Sequence, residues 1–232
     1  MTSTRTARLS RATALALLAA ASGSVDALAF IALGHVFAGV MTGNLVLLAI
    51  ALGSRSPGDA GFPLVALAGF SIAVIAAGRI CRVGKAADGA AGSGGRAGPG
   101  KWSGSVYACL AADTVVLAGV GVAWAAVEGH PDGVGRAVLI AVLALAMGLQ
   151  TGAMLAAGPQ GAPTTYFTST LSNLLTSPSG SGLAVFRLAA LMVGAVGAAA
   201  LHTWMPAWAA CPPPVLTALA VAAALVAERR RR

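Results

Sequence analysis

The chain has 232 residues, 57% of them hydrophobic and 9% charged, with a mean hydropathy of +0.83. A soluble domain carries roughly 25% charged residues, so the composition excludes an ordinary water-soluble globule and implies an all-α membrane protein with a lipid bilayer as its solvent. The formal net charge of +8 does not imply nucleic acid, because Lys and Arg sit in the tails and one loop with no aromatic residues between them. There they read as topology signals facing an anionic leaflet.

Apolar segments follow in chain order, each judged against the roughly 20 residues needed to cross a hydrocarbon core of about 30 Å. The first covers about 12–33 and begins after Arg5, Arg8 and Arg11. That basic start with an apolar run resembles a signal peptide, but the run is long enough to span and is read as an uncleaved first helix. The second covers about 36–53 and contains "GVMTGNL" (39–45), where poor helix formers and polar groups interrupt a membrane-grade stretch. The third covers about 61–80. It is followed by a Gly- and Ala-rich stretch, 82–101, read as a flexible cytoplasmic loop.

The fourth segment covers about 103–127 and the fifth about 135–157. The sixth, about 164–177, is "TTYFTSTLSNLLTS". As a helix it reaches about 21 Å, too short to cross. The seventh and eighth cover about 183–205 and 212–227. The whole chain, 1–232, reads as one integral membrane domain.

Charge then arbitrates between spanning and returning segments. The N-terminal arginines, the set Arg79, Arg82, Lys85, Arg96 and Lys101, and the terminal run Arg229–Arg232 hold most of the positive charge. The positive-inside rule places all three in the cytoplasm. Parity permits this only if one segment before the 82–101 loop and one after it enter and leave on the same side. The second and the short sixth are the candidates. The expected fold is six transmembrane helices plus two re-entrant or broken segments in a bacterial cytoplasmic (inner) membrane, with both termini cytoplasmic.

The two halves, 12–127 and 135–227, also echo one another. Ala19, Gly23 and Ala27 form a small-residue stripe on the first segment, and Ala144, Gly148 and Gly152 form one on the fifth. Such stripes let membrane helices approach closely. Each stripe is followed, at nearly equal spacing, by a polar break, "MTGNL" and "FTSTL". An odd number of crossings per half makes this an inverted-topology repeat, an arrangement used by transporters.

The stretches "SGSVDALAFIALGHVFAGVMTGNLVLLAIAL" and "AMGLQTGAMLAAGPQGAPTTYFTSTLSNLL" resemble the two signatures of the YoaK-like family of bacterial membrane proteins, a domain of unknown function. The first signature is Gly-x-x-Asp-Ala, a Phe, then Thr-Gly-Asn. The second is Gly-Leu-Gln-Asn, an Ala-Thr-Thr stretch, then Thr-Gly-Thr-Leu. Asp26, Thr42, Gly43, Asn44, Gln150, Thr168 and Thr170 match the pattern. Ser24 stands near the Asp where an aromatic is frequent, Thr151 replaces the Asn after Gln150, and Ser169 replaces a Gly. The resemblance implies a six-spanning, transporter-like protein.

The candidate substrate- or ion-binding residues are Asp26, Thr42, Gly43, Asn44, Gln150, Thr151, Thr168, Ser169 and Thr170. Asp26 leads, because an intramembrane carboxylate is expensive and usually marks an ion or substrate route. Its structural alternative is a carboxylate that caps the broken second segment through backbone N–H groups. The Thr and Asn residues are expected at the re-entrant turns, where unwound backbone needs partners that lipid does not supply. Gln150 and Thr151 have an alternative role as interhelical hydrogen-bonding groups. Asp113, outside both motifs, is read as structural, and Arg187 and Arg79 as snorkelling topology anchors.

Cys81, Cys109 and Cys211 are far apart in sequence, and His35, His130 and His202 are scattered. No disulfide framework, metal site or cofactor is expected from these spacings. No nucleophile elbow, paired carboxylates, HExxH or phosphate loop appears, so the chain is not expected to be an enzyme. The composition and motifs are those of a permease for an unidentified small solute, with proton or cation coupling. The alternative is a non-transporting scaffold, sensor or accessory protein.

Overall fold

The computed structural model describes residues 2–90, 102–158, 174–176 and 182–229. Among these all regular structure is helical, with α1 (Thr2–Ala32), α2 (Met41–Gly53), α3 (Gly61–Ala90), α4 (Gly104–Ala126), α5 (Gly133–Ala156), α6 (Gly182–Trp204) and α7 (Pro212–Arg229). Six of the seven are long and apolar enough to cross a membrane. The exception is α2, whose 13 residues reach about 20 Å.

The helices follow from local chemistry. Ala and Leu dominate them, and both are strong helix formers. Asp132 caps α5 by accepting from the Gly135 N–H at 2.6 Å, and proline opens α7, where its missing N–H costs nothing. Hydroxyls inside the helices turn back on their own backbone. Thr114 donates to Leu110 O at 2.8 Å, Thr203 to Ala199 O at 3.0 Å and Thr217 to Pro213 O. This hides the donor where lipid offers no acceptor.

The direction of each helix is fixed by two clusters at opposite ends of the bundle. At the first end the Arg11 guanidinium lies 5.5 Å from the Trp102 ring centre, and the Trp102 N–H donates to the Glu228 carboxylate at 3.1 Å. The start of α1, the approach to α4 and the end of α7 therefore meet there. The ends of α3 and α5 join them, since Cys81, Ala153 and Met154 share a buried cluster with Leu15, Trp102 and Ala224. At the second end the Trp124 indole donates to Pro206 O at 2.8 Å, and its ring meets His202 with centres 6.2 Å apart. Leu33, Val36, Ile140, Ala198 and Ala209 pack around Trp124, and Phe62 at the start of α3 lies against Gly34.

Successive crossings alternate as a result. α1, α4 and α6 run from the first end to the second, and α3, α5 and α7 run back. The stretch holding α2 leaves and returns at the second end. Residues 157–181 join two helix ends at the first. This agrees with the count of six crossings and with a second segment that does not cross, and it brings the start of α1 and the ends of α3 and α7 to one end.

Helix neighbours are specific. α1 packs on α6 and α7, while α5 packs on α3 and α4. The two small-residue stripes seat different partners. A Cβ at Gly23 of α1 would strike the Leu191 carbonyl of α6, and one at Gly148 of α5 would strike Phe70 and Ala73 of α3. The partner helices reciprocate through Gly194 against Ala20 and Gly69 against Ala141. The backbones touch because side chains are absent, which is how helices associate when lipid removes the hydrophobic drive. Ser24 adds a polar tie, its hydroxyl 2.9 Å from both Ala20 O and Gly194 O.

Three sequence expectations need correction. The stretch 82–101 is not loop from its start, because α3 continues as helix to Ala90. Its Ala and charged residues sustain helix beyond the apolar stretch that hydropathy detects. The second segment does not start as helix at 36, since 34–40 is unwound and α2 begins at Met41. The first segment starts earlier, at Thr2. The sixth segment lies outside the described residues apart from 174–176, which are helical.

Candidate functional site

After α1 the chain turns back along the helix it has just left. Gly34 (φ 103°) and His35 (φ 59°) occupy the left-handed region, which ends the helix and reverses its course. The strand of backbone 36–40 then descends to the level of Asp26. That residue lies six positions before the end of α1, about 9 Å in along its axis.

Descending backbone inside a membrane protein has N–H and C=O groups with no helical partner, and each must be satisfied internally. Two side chains do this. Oδ1 of Asp26 accepts from the Ala38 N–H at 2.9 Å and the Gly39 N–H at 2.7 Å. Asn44 clamps Phe37 from the other side, its Oδ1 accepting from the Phe37 N–H at 2.9 Å and its Nδ2 donating to the Phe37 carbonyl at 2.6 Å. Glycine at 39 keeps this approach open, since a Cβ there would lie 3.2 Å from Asp26 Oδ2, tighter than an ordinary contact, and 3.6 Å from Ser22 Oγ. Gly43 likewise sits against the Phe37 ring, which stacks on Phe30 with centres 5.2 Å apart.

Asp26, Asn44 and Gly43 therefore converge on one break, as expected. Their task, however, is the one the structural alternative assigned to Asp26. The turn itself also lies earlier than expected. Residues 42–44 already form the first turn of α2, and the reversal occupies 34–40. Thr42 does not join the cluster, because its side chain is exposed on the outer face of α2.

The residues of the second motif separate from this break. Gln150 is fully buried on α5 and its amide donates to Leu18 O of α1 at 3.4 Å. Leu18 is eight residues from Asp26, about 12 Å along the helix. Thr151 is 2% exposed, and its hydroxyl has no hydrogen-bond partner among the described residues. Thr168, Ser169 and Thr170 lie outside the described residues. A cavity of about 430 Å³ opens between α3 and α5 towards the first end, lined in part by Val74, Gly78, Cys81, Arg82 and Gly152. None of the six candidate residues that lie among the described residues lines it.

Sequence reasoning missed several participants. Gly39 and Ser22 complete the Asp26 pocket, and the only signal for them was their place in a cluster of small residues. Arg187 is 5% exposed and does not snorkel as expected, because the inward face of α6 carries it into the bundle. The Cys81 and Cys109 thiols, 28 residues apart in sequence, lie against one another across α3 and α4. Asp113 is fully buried, with neither carboxyl oxygen hydrogen-bonded among the described residues.

Comparison with known proteins agrees with this architecture. No solved structure matches the chain. The UPF0700 transmembrane protein YoaK of Bacillus subtilis (strain 168) is 34% identical over 175 residues, covering 75% of this chain and 70% of that protein. The family described as protein of unknown function (DUF1275) matches residues 14–223. With its six crossing helices and its signature Asp and Asn holding the break before α2, the chain belongs to that DUF1275 family of multi-pass membrane proteins.

Proposed function

We propose that this protein is a non-enzymatic permease for a small solute, built as an inverted repeat in a bacterial cytoplasmic membrane. The observation that carries the reading is the Asp26–Asn44 break. An unwound, polar-lined backbone segment folds back into a membrane bundle after the first crossing, and such segments build the central sites of transporters. The packing supports the repeat. Exchanging α1 with α5, α3 with α6 and α4 with α7 preserves the main neighbour pairs. Gly23 and Gly148 also stand as far apart in the chain as Gly69 and Gly194, the close-contact glycines on the two partner helices. The first end carries the basic tails and faces the cytoplasm on this reading.

The test uses purified protein in liposomes loaded with a pH-sensitive dye and a panel of small solutes chosen by thermal-shift screening. Solute-dependent dye signal that falls in Asp26→Asn supports the permease. Cysteine labelling from outside at position 59, and from inside at position 94, checks the orientation.

One observation favours a second reading, an accessory or scaffold protein. Asp26 and Asn44 direct their polar atoms at their own backbone. Solute-independent behaviour across the panel, unchanged by Asp26→Asn, would select that reading.

A further inference from the structure

Asp113 belongs to neither signature and plays no part in the break. It occupies the inward stripe of α4, in line with Val106, Leu110, Leu117, Val120 and Trp124, and is the one charged-type residue on it. It stands nine residues from Gly104 and thirteen from Ala126, about 14 Å and 20 Å from the two helix ends. That is close to the middle of a core about 30 Å thick.

Its surroundings offer no ionic partner among the described residues. The residue is 0% exposed, and neither oxygen has a hydrogen-bond donor among the described residues. The neighbouring hydroxyl of Thr114 and that of Thr217 on α7 both donate to their own helices. On α3, Arg79 and Arg82 are exposed. On α5 the one charged residue, Arg136, lies at the second end. On α7, Glu228 and Arg229 lie at the first end and Cys211 precedes the helix at the second. The 3-10 turn Pro206–Trp208 carries no titratable group. On α4 itself the nearest titratable groups are Cys109, one turn nearer the first end and against Cys81, and beyond it Tyr107, against Glu228.

An ionised carboxylate in such a place has lost its hydration and gained nothing in return. Two ligands can neutralise it. A dehydrated metal cation needs several ligands besides this one, and no group of three His, Cys, Asp or Glu side chains that could hold a metal ion occurs among the described residues. A proton needs only the carboxyl. The geometry points to Asp113 as a proton-binding site at the centre of the bundle, exchanging with the aqueous phase at the first end. The direction follows from what flanks it. Towards the first end come thiols and a phenol, which carry exchangeable hydrogens, and the Glu228 carboxylate, which can take up a proton. Towards the second end come Leu117 and Val120, which carry none, and only beyond them Trp124, whose indole N–H is held by the Pro206 carbonyl. The assignment stands on α4 and its neighbours and holds whether or not a solute is carried.

The test is reaction of the full-length protein in membranes with dicyclohexylcarbodiimide, a hydrophobic reagent for protonated carboxyls. The O–H adds across one C=N bond, and the isourea rearranges to an N-acylurea that keeps every atom of the reagent, with no redox change. Peptide mass spectrometry should find the adduct on Asp113, declining towards alkaline pH and absent in Asp113→Asn, with the Asp26 peptide unmodified. Infrared difference spectra between acid and alkaline pH give a second reading that needs no reagent access. The carbonyl band of a protonated carboxyl should be present in the wild type and lost in Asp113→Asn. A band that survives Asp113→Asn and vanishes in Asp26→Asn, or an adduct on Asp26 in place of Asp113, overturns the assignment. So does the absence of any titrating carboxyl band in the wild type.

Discussion

Asp26 and Asp113 both sit within crossing helices, yet their surroundings are opposite. Asp26 faces a stretch of unwound backbone whose N–H groups point at its oxygen. Asp113 faces helices whose backbone groups are already paired, and its oxygens meet no donor among the described residues. The first carboxylate compensates for a fault in secondary structure. The second has no structural work to do, and its presence in the core lowers stability. A buried acid in a membrane helix is therefore not one kind of signal. Its meaning depends on whether a neighbouring segment has backbone to spare.

Substitution breaks or sharpens this contrast. The largest effect is expected from Asp26→Leu, which strands the Ala38 and Gly39 N–H groups. At about 1–3 kcal/mol for each unsatisfied buried donor, the loss is about 2–6 kcal/mol. It should appear as a large drop in the melting temperature of detergent-solubilised protein, or as failure to accumulate in the membrane. Asn44→Leu comes next, since it strands both polar groups of Phe37; the bonds it removes are uncharged, so the cost should lie in the lower part of that range, about 2–4 kcal/mol in the same assay.

Asp113→Leu should move the protein the other way. Replacing an unpartnered polar group by an apolar one of similar size is expected to raise stability by about 1–3 kcal/mol. A fall in melting temperature as large as that of Asp26→Leu would show that the two acids are not held differently. The smallest effect is expected from Asp26→Asn. It retains an acceptor oxygen for both N–H groups but loses the charge that strengthens them, at about 1–2 kcal/mol. The gap between Asp26→Asn and Asp26→Leu measures how much of the role of Asp26 is hydrogen bonding rather than charge.

Much of the architecture was legible before any coordinates. The polar break at 39–45 and the charge parity, rather than length, separate the second segment from the six crossing helices, since at 36–53 its apolar stretch is 18 residues and only the structure shortens its helix to 13. The basic residues near 5–11, 79–101 and 229–232 required two non-crossing segments, and the Trp102 and Trp124 clusters bear this out for the second segment, while the sixth lies outside the described residues apart from 174–176. The stripes at Gly23 and Gly148 marked real helix contacts, since close approach in a membrane depends on small side chains. The site was legible only in outline. Asp26, Gly43 and Asn44 do meet, but the motif does not say that the turn lies at 34–40 or that Thr42 faces outward. A shift of a few residues along a helix changes which way a side chain points, and spacing in the motif does not record that shift.

Sequence by itself determined the solvent of this protein, its number of crossings and the ends at which its charges gather. These depend on quantities summed over many residues, such as hydropathy, length and charge, which survive any detail of packing. Tertiary structure alone decided which helices touch, that α1 seats α6 while α5 seats α3, and that the Cys81 and Cys109 thiols meet. It also decided that Asp26 is satisfied and Asp113 is not. Those outcomes depend on what lies a few ångströms away in space, where a single backbone N–H makes the difference between a partnered carboxylate and a bare one.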